Sequence, residues 1–137
     1  MAGNVAIVPG TAFWPRPTDD CEKPHPWVVL AVANGVALAV NLTDQSKHPE
    51  LNVIVEKTEY APLTKRSAAW FQKFQEIPTV LMGKELTSGE KTVHLQDVSS
   101  GLLTRLFEGL KADRNVRDAI KIKYGFLPAN PTLKKPF

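Results

Sequence analysis

The chain contains a single cysteine, Cys21, among 137 residues. That excludes an internal disulfide, and with no second cysteine at ligand spacing a metal site is not expected. No apolar run approaches the ~18 residues that a membrane-spanning helix needs. Met1 to Pro9 has no basic segment and too short an apolar stretch for a secretory signal. The expectation is a soluble, cytoplasmic protein. Internal repeats are lacking as well, and so is any strong charge of one sign, since the net charge is only +3.

What is present is 43% apolar residues, enough for one core. Residues 1–127 are expected to form a single domain, with 128–137, rich in proline and ending Leu-Lys-Lys-Pro-Phe, as an extended basic tail. Charge is unevenly spread. Residues 1–60 hold 4 Lys/Arg against 7 Asp/Glu, net −3, whereas 61–137 hold 13 against 7, net +6. A basic second half is compatible with a polyanionic partner, although solvated helix faces account for any one charge equally well.

The most informative stretch runs from Pro24 to Lys47. Two apolar, β-branched runs, Val28 to Ala33 and Val36 to Leu42, flank Asn34-Gly35. That pattern predicts a hairpin, because both central residues of a type I′ turn take positive φ. A two-residue turn sets Ala33 against Val36, Val32 against Ala37, Ala31 against Leu38, Leu30 against Ala39 and Trp27 against Leu42. Continued outward, this register puts Pro26 opposite Thr43 and His25 opposite Asp44. Both strands are apolar at nearly every position, so both of their faces should be covered.

Elsewhere, Gly10 to Trp14 reads as a first strand, and Pro15 to Pro26, with its many prolines, as a loop. Leu51 to Val55 alternates weakly as a strand, and Thr64 to Phe74 fits a strand or a short helix. Thr79 to Met82 and Thr92 to Leu95 are further strand candidates around turns at Gly83 and Ser88-Gly89. Val98, Leu102, Leu103, Leu106, Phe107 and Leu110 share one helical face, with Asp97 or Ser99 as N-cap. A second helix is expected from Asn115 to Tyr124, ended by Gly125. The fold class that follows is mainly β, a small barrel of five to seven strands with one or two C-terminal helices.

Four segments in this order resemble the MazF/PemK (Kid) toxins. Gly10-Thr-Ala-Phe-Trp14 is similar to that family's opening Gly-x-x-x-Trp strand, and His25-Pro-Trp-Val-Val-Leu30 to its Arg-Pro-x-Val-Val-Leu strand. Asn41-Leu-Thr-Asp-Gln-Ser-Lys47 is similar to its Thr-Thr-Gln-Ser-Lys segment, and Arg66-Ser-Ala-Ala-Trp70 to its Lys-Ser-x-x-Trp strand. The resemblance covers residues 8 to 112. His25 stands where the family has its catalytic arginine, and Asp44 where it has a second threonine. What the resemblance implies is an SH3-like barrel of the MazF/CcdB/Kid type, a homodimer restrained by an antitoxin protein, and metal-independent, cofactor-free cleavage of single-stranded RNA. Two other readings accompany it: a non-catalytic SH3-like binding module, and an inhibitor of DNA gyrase on the same barrel.

Such cleavage leaves a 2′,3′-cyclic phosphate and a 5′-hydroxyl. It needs a base, an acid and a cation near the phosphorane. His25 can serve in either proton transfer. An opposed Asp44 would fix its tautomer and raise its pKa, favouring the acid. Thr43 would bond a phosphate oxygen, and Lys47 or Arg66 would supply positive charge. His48 is a candidate for the second proton transfer. Arg16 and Lys23, on the loop, are candidate substrate contacts, and Trp14 is the tryptophan best placed to stack on a base. Trp27, Trp70 and His94 are expected to be structural, and the acidic run Asp19, Asp20, Glu22 weighs against tight phosphate binding.

Overall fold

The structure is a computed structural model and describes residues 5–16 and 25–128. Cys21, Lys23, the acidic run at 19, 20 and 22, most of the proline-rich loop, and the tail beyond Pro128 lie outside the described residues.

Asn34 and Gly35 both adopt positive φ, 51° and 75°, as the hairpin turn requires. They join β2 (Trp27–Ala33) to β3 (Val36–Asp44). The sheet is completed by β1 (Ala12–Pro15), β4 (Ile54–Val55), β5 (Ser67–Pro78) and β6 (Thr92–Leu95). Its order is β4-β5-β3-β2-β1-β6, with every neighbouring pair antiparallel. The molecule is therefore mainly β, a curled six-stranded sheet whose edge strands β4 and β6 do not pair with each other. Among the described residues three α-helices accompany it: α1 (Thr79–Ser88), α2 (Ser100–Ala112) and α3 (Asp118–Lys123). None of the described helices is long and apolar enough to cross a membrane.

Two departures from the sequence expectation matter. The hairpin starts as predicted, Ala33 with Val36, Val32 with Ala37 and Ala31 with Leu38, but a bulge at Leu30 then shifts the register by one. Val29, rather than Leu30, opposes Ala39, and Trp27 opposes Asn41, not Leu42. A bulge lets consecutive residues face the same side. Leu30 and Ala31 do so here, since both join one core cluster while Val29 joins the other. The second correction is at Thr79 to Met82, predicted as a strand, which opens α1 instead. Met82, Gly83 and Leu86 are the buried residues of that helix. Gly83 is thus a contact residue on a helix face and not a turn.

β3 separates two cores because its side chains alternate in size. Leu38, Val40 and Leu42 pack towards α2, whereas Ala37 and Ala39 face the smaller cluster with Phe13, Val29, Met82 and Leu86. Both faces of the hairpin are covered, as the unbroken apolar runs implied. α1 is fastened to the hairpin turn: the Thr79 N–H donates to Gly35 O at 2.9 Å and its hydroxyl donates to the same oxygen at 3.2 Å. The segment left open as strand or helix is β5, a 12-residue strand with a pronounced irregularity. Ala39 opposes Gln75 but Asn41 opposes Trp70, so residues 71–74 stand against Val40 alone.

α2 buries Leu102, Leu106 and Leu110, one residue per turn, and Ser99 caps it by accepting from Leu102 N. It packs so closely that a Cβ on Gly109 would sit 2.7 Å from Val53 and 2.8 Å from the Phe71 ring. Gly101 on the same helix has nothing within 4 Å of such an atom. Gly109→Ala is therefore expected to destabilise the protein by about 1–3 kcal/mol through overpacking. Gly101→Ala should be neutral or stabilising by up to about 1 kcal/mol. Urea denaturation of both variants checks the pair; equal effects would show that α2 is not held at this distance.

Candidate functional site

The strand order places the end of β1, the start of β2, the end of β3 and the start of β5 at one end of the sheet. Extending the pairing of Phe13 with Trp27 and of Trp27 with Asn41 brings Pro15, His25 and Thr43 level with one another. Leu42 N donates to Pro26 O at 2.8 Å, which confirms the shifted register beyond the end of β2. His25 is thus aligned with Thr43 and not, as the uniform register predicted, with Asp44.

Asp44 has a different task. It is buried, and its Oδ1 accepts from the Ser46 N–H at 3.0 Å and the Ser46 hydroxyl at 2.7 Å, while Oδ2 pairs with Lys65 Nζ at 3.1 Å. The carboxylate thereby caps the single 3₁₀ turn Gln45–Lys47. Its pKa falls to about 2, chiefly through the Ser46 hydroxyl, with Lys65 and the Ser46 N–H adding to the effect and burial opposing it. Among the described residues no hydrogen bond joins it to the His25 ring, so it does not fix the imidazole tautomer in this arrangement.

His25 is exposed. Its pKa lies below the ordinary 6.5, because partial desolvation, the largest influence, outweighs the raising effect of Asp44, and Lys65, Lys47 and His48 lower it further. The expected increase is therefore reversed. The neutral ring, a proton acceptor, is favoured near neutral pH.

The other candidates divide. Lys47, the last residue of the 3₁₀ turn, is exposed. His48 follows it, its ring 4.3 Å from that of Trp70 and its Nδ1 3.6 Å from Glu50 Oε2. Thr43 lies in β3 opposite Ala68 and is only 5% exposed, so its hydroxyl has little access to a ligand as the loop stands. Arg66 pairs with Glu56 at 3.1 Å. Arg16 donates from its guanidinium to Gly89 O, the carbonyl just past α1. Trp14 is half-buried in β1 opposite Val93 of β6. The structure thus gathers His25, Lys47 and His48 about the Asp44 turn and leaves Arg16 and Arg66 committed to other partners.

No family model matches the chain, and no curated protein matches it. The site stands on its own geometry. Sequence reasoning overlooked Lys65, the partner of Asp44 and a charge felt at His25, although it adjoins the singled-out Arg66. Trp70, taken as core, proves to be the platform for His48, with Lys73 Nζ 5.3 Å from its ring centre. His94 is exposed, with its Nε2 3.8 Å from Asp97 Oδ1.

Because the Asp44 pKa is held below the 3.8 of a free aspartate, its stabilisation is fully present above pH 3.8 and is lost as pH falls through about 2. Stability of Asp44→Asn should therefore depend less on pH between about 4 and 2 than that of the parent chain. By NMR, His25 should titrate below pH 6.5, and Lys65→Ala should move its midpoint upward. A midpoint above 6.5 in the parent chain would contradict the desolvated environment.

Proposed function

We propose that the chain is a divergent MazF/PemK-like toxin, a metal-independent endoribonuclease on an SH3-like barrel that cuts single-stranded RNA. The observation that carries the reading is an exposed imidazole of lowered pKa beside a turn that projects Lys47 and His48. His25 takes the proton from the 2′-hydroxyl as its oxygen attacks the adjacent phosphorus. The phosphorus–O5′ bond breaks, and His48 returns a proton to the departing oxygen, leaving a 2′,3′-cyclic phosphate and a 5′-hydroxyl. Lys47 offsets the charge that builds on the phosphorane. Asp44 acts through the turn it caps, and Thr43 supports that turn from within the sheet. A homodimer and an antitoxin laid across this end of the sheet belong to the same proposal.

One observation favours a second reading. Arg66 and Arg16 are spoken for by Glu56 and Gly89 O, leaving fewer free cations than a tight phosphate site would use. A non-catalytic binding module on the same fold fits that economy. Expression in a sensitive host also separates the gyrase-directed alternative, for which growth stops without RNA fragmentation.

The purified chain is expected to cut single-stranded RNA in EDTA, with mass analysis showing 2′,3′-cyclic phosphate ends. His25→Ala should lower the rate by about 10²–10⁴-fold, the usual worth of a positioned proton-transfer group. The acidic limb of kcat/KM should lie below pH 6.5, because protonation of His25 removes the base. Undiminished cutting by the variant would remove His25 from the mechanism.

A further inference from the structure

A cavity of about 470 Å³ opens between the loop preceding β4 and the connection from α2 to α3. That volume is in the range of small-molecule sites. Ala69 and Phe71 of β5 form its apolar side, and three carboxamides, of Asn52, Gln72 and Asn115, stand on the polar side, all on exposed residues. A carboxamide both donates and accepts, which suits the edge of a heteroaromatic ring. Asn115 contributes its backbone N–H to Asp113 Oδ1 at 2.7 Å, which fixes the connection in a turn. Glu50 and Asp113 add two carboxylates to the lining, and Arg114 a single cation.

This balance selects among the parts of a nucleotide. Two acceptor-only carboxylates disfavour a phosphate and favour a ring edge rich in N–H donors. Guanine offers adjacent N1–H and N2–H donors on its Watson–Crick edge, the edge by which splayed-out bases of single strands are commonly read. Uracil offers one such donor. Arg114 can meet the adjoining phosphate. The cavity adjoins the candidate site. Glu50, on its rim, contacts the His48 ring, and Trp70, the platform of that ring, immediately precedes Phe71.

We propose that this cavity holds a guanine base flanking the cleaved bond and so acts as the specificity pocket, an inference that rests on RNA being the substrate.

Titrating the full ¹⁵N-labelled chain with GMP and, separately, UMP tests it. GMP is expected to shift the side-chain amide resonances of Asn52, Gln72 and Asn115 in a saturable way, with UMP at least about tenfold weaker. Glu50→Gln, an exposed position, should weaken GMP about tenfold while spectral dispersion stays that of a folded protein. His25→Ala should leave GMP affinity unchanged. Equal binding of UMP, or GMP shifts confined to other residues, would overturn the proposal. RNA cutting is read separately on the same preparation. Cutting without GMP binding overturns the pocket alone, whereas GMP binding without cutting overturns the nuclease reading and with it the pocket's place beside a cleaved bond.

Discussion

The extra residue that β2 accommodates at Leu30 decides what meets what at the end of the sheet that carries the candidate site. In a regular ladder the imidazole of His25 would face a carboxylate. With the bulge, Thr43 takes that level, and Asp44 falls beyond the hairpin, where Ser67 of β5 opposes it. Lys65, just before β5, pairs with it on that side. A bulge also increases local twist, and the second irregularity, where β5 loops out residues 71–74 against β3, lies further along the same sheet. Together they bend one continuous ladder around the Leu38, Val40 and Leu42 core that α2 covers.

The displaced carboxylate changes the electrostatics of its neighbours as much as their positions. Asp44 is held by Ser46 and Lys65, and its charge still opposes deprotonation of His25, but desolvation together with Lys65, Lys47 and His48 outweighs it. His25 keeps solvent access and a lowered pKa, whereas His48 is braced between Trp70 and Glu50. The two imidazoles therefore sit in different surroundings, one solvated and one packed on a ring. The turn that Asp44 caps supplies the spacing, since Lys47 ends it and His48 follows directly.

How much of this could be read from the residues depends on whether their pattern distinguished the alternatives. The Asn34-Gly35 turn could be read because positive φ is costly for most other residues. α2 could be read because Leu102, Leu106 and Leu110 recur at every turn behind a serine cap. The bulge could not. Both strands are apolar at nearly every position around Leu30, so a one-residue slip there exchanges one hydrophobic side chain for another and leaves little mismatch in the pattern. α1 was hidden because it exposes Val80 and Leu81, at 68% and 50%, while burying a glycine. Two apolar residues on its exposed side blur the stripe that Met82 and Leu86 bury. The candidate cluster was legible as a group of residues, since the hairpin brings 25 and 43–48 together in either register. The partners within it were not, because ion pairs such as Asp44 with Lys65 join segments that only the folded sheet makes adjacent.

The sheet ends on one side in β4, a strand of two residues whose Ile54 carbonyl accepts from the Arg105 guanidinium of α2. Glu59 holds the same guanidinium in place. An open sheet invites foreign strands to add to its margin, and short margins guarded by charge discourage them. Here the clamp fills an acceptor that an incoming polypeptide would otherwise use and sets a cation in its path. A protein with such a margin resists runaway β-sheet polymerisation on that flank, even though its ladder never closes upon itself.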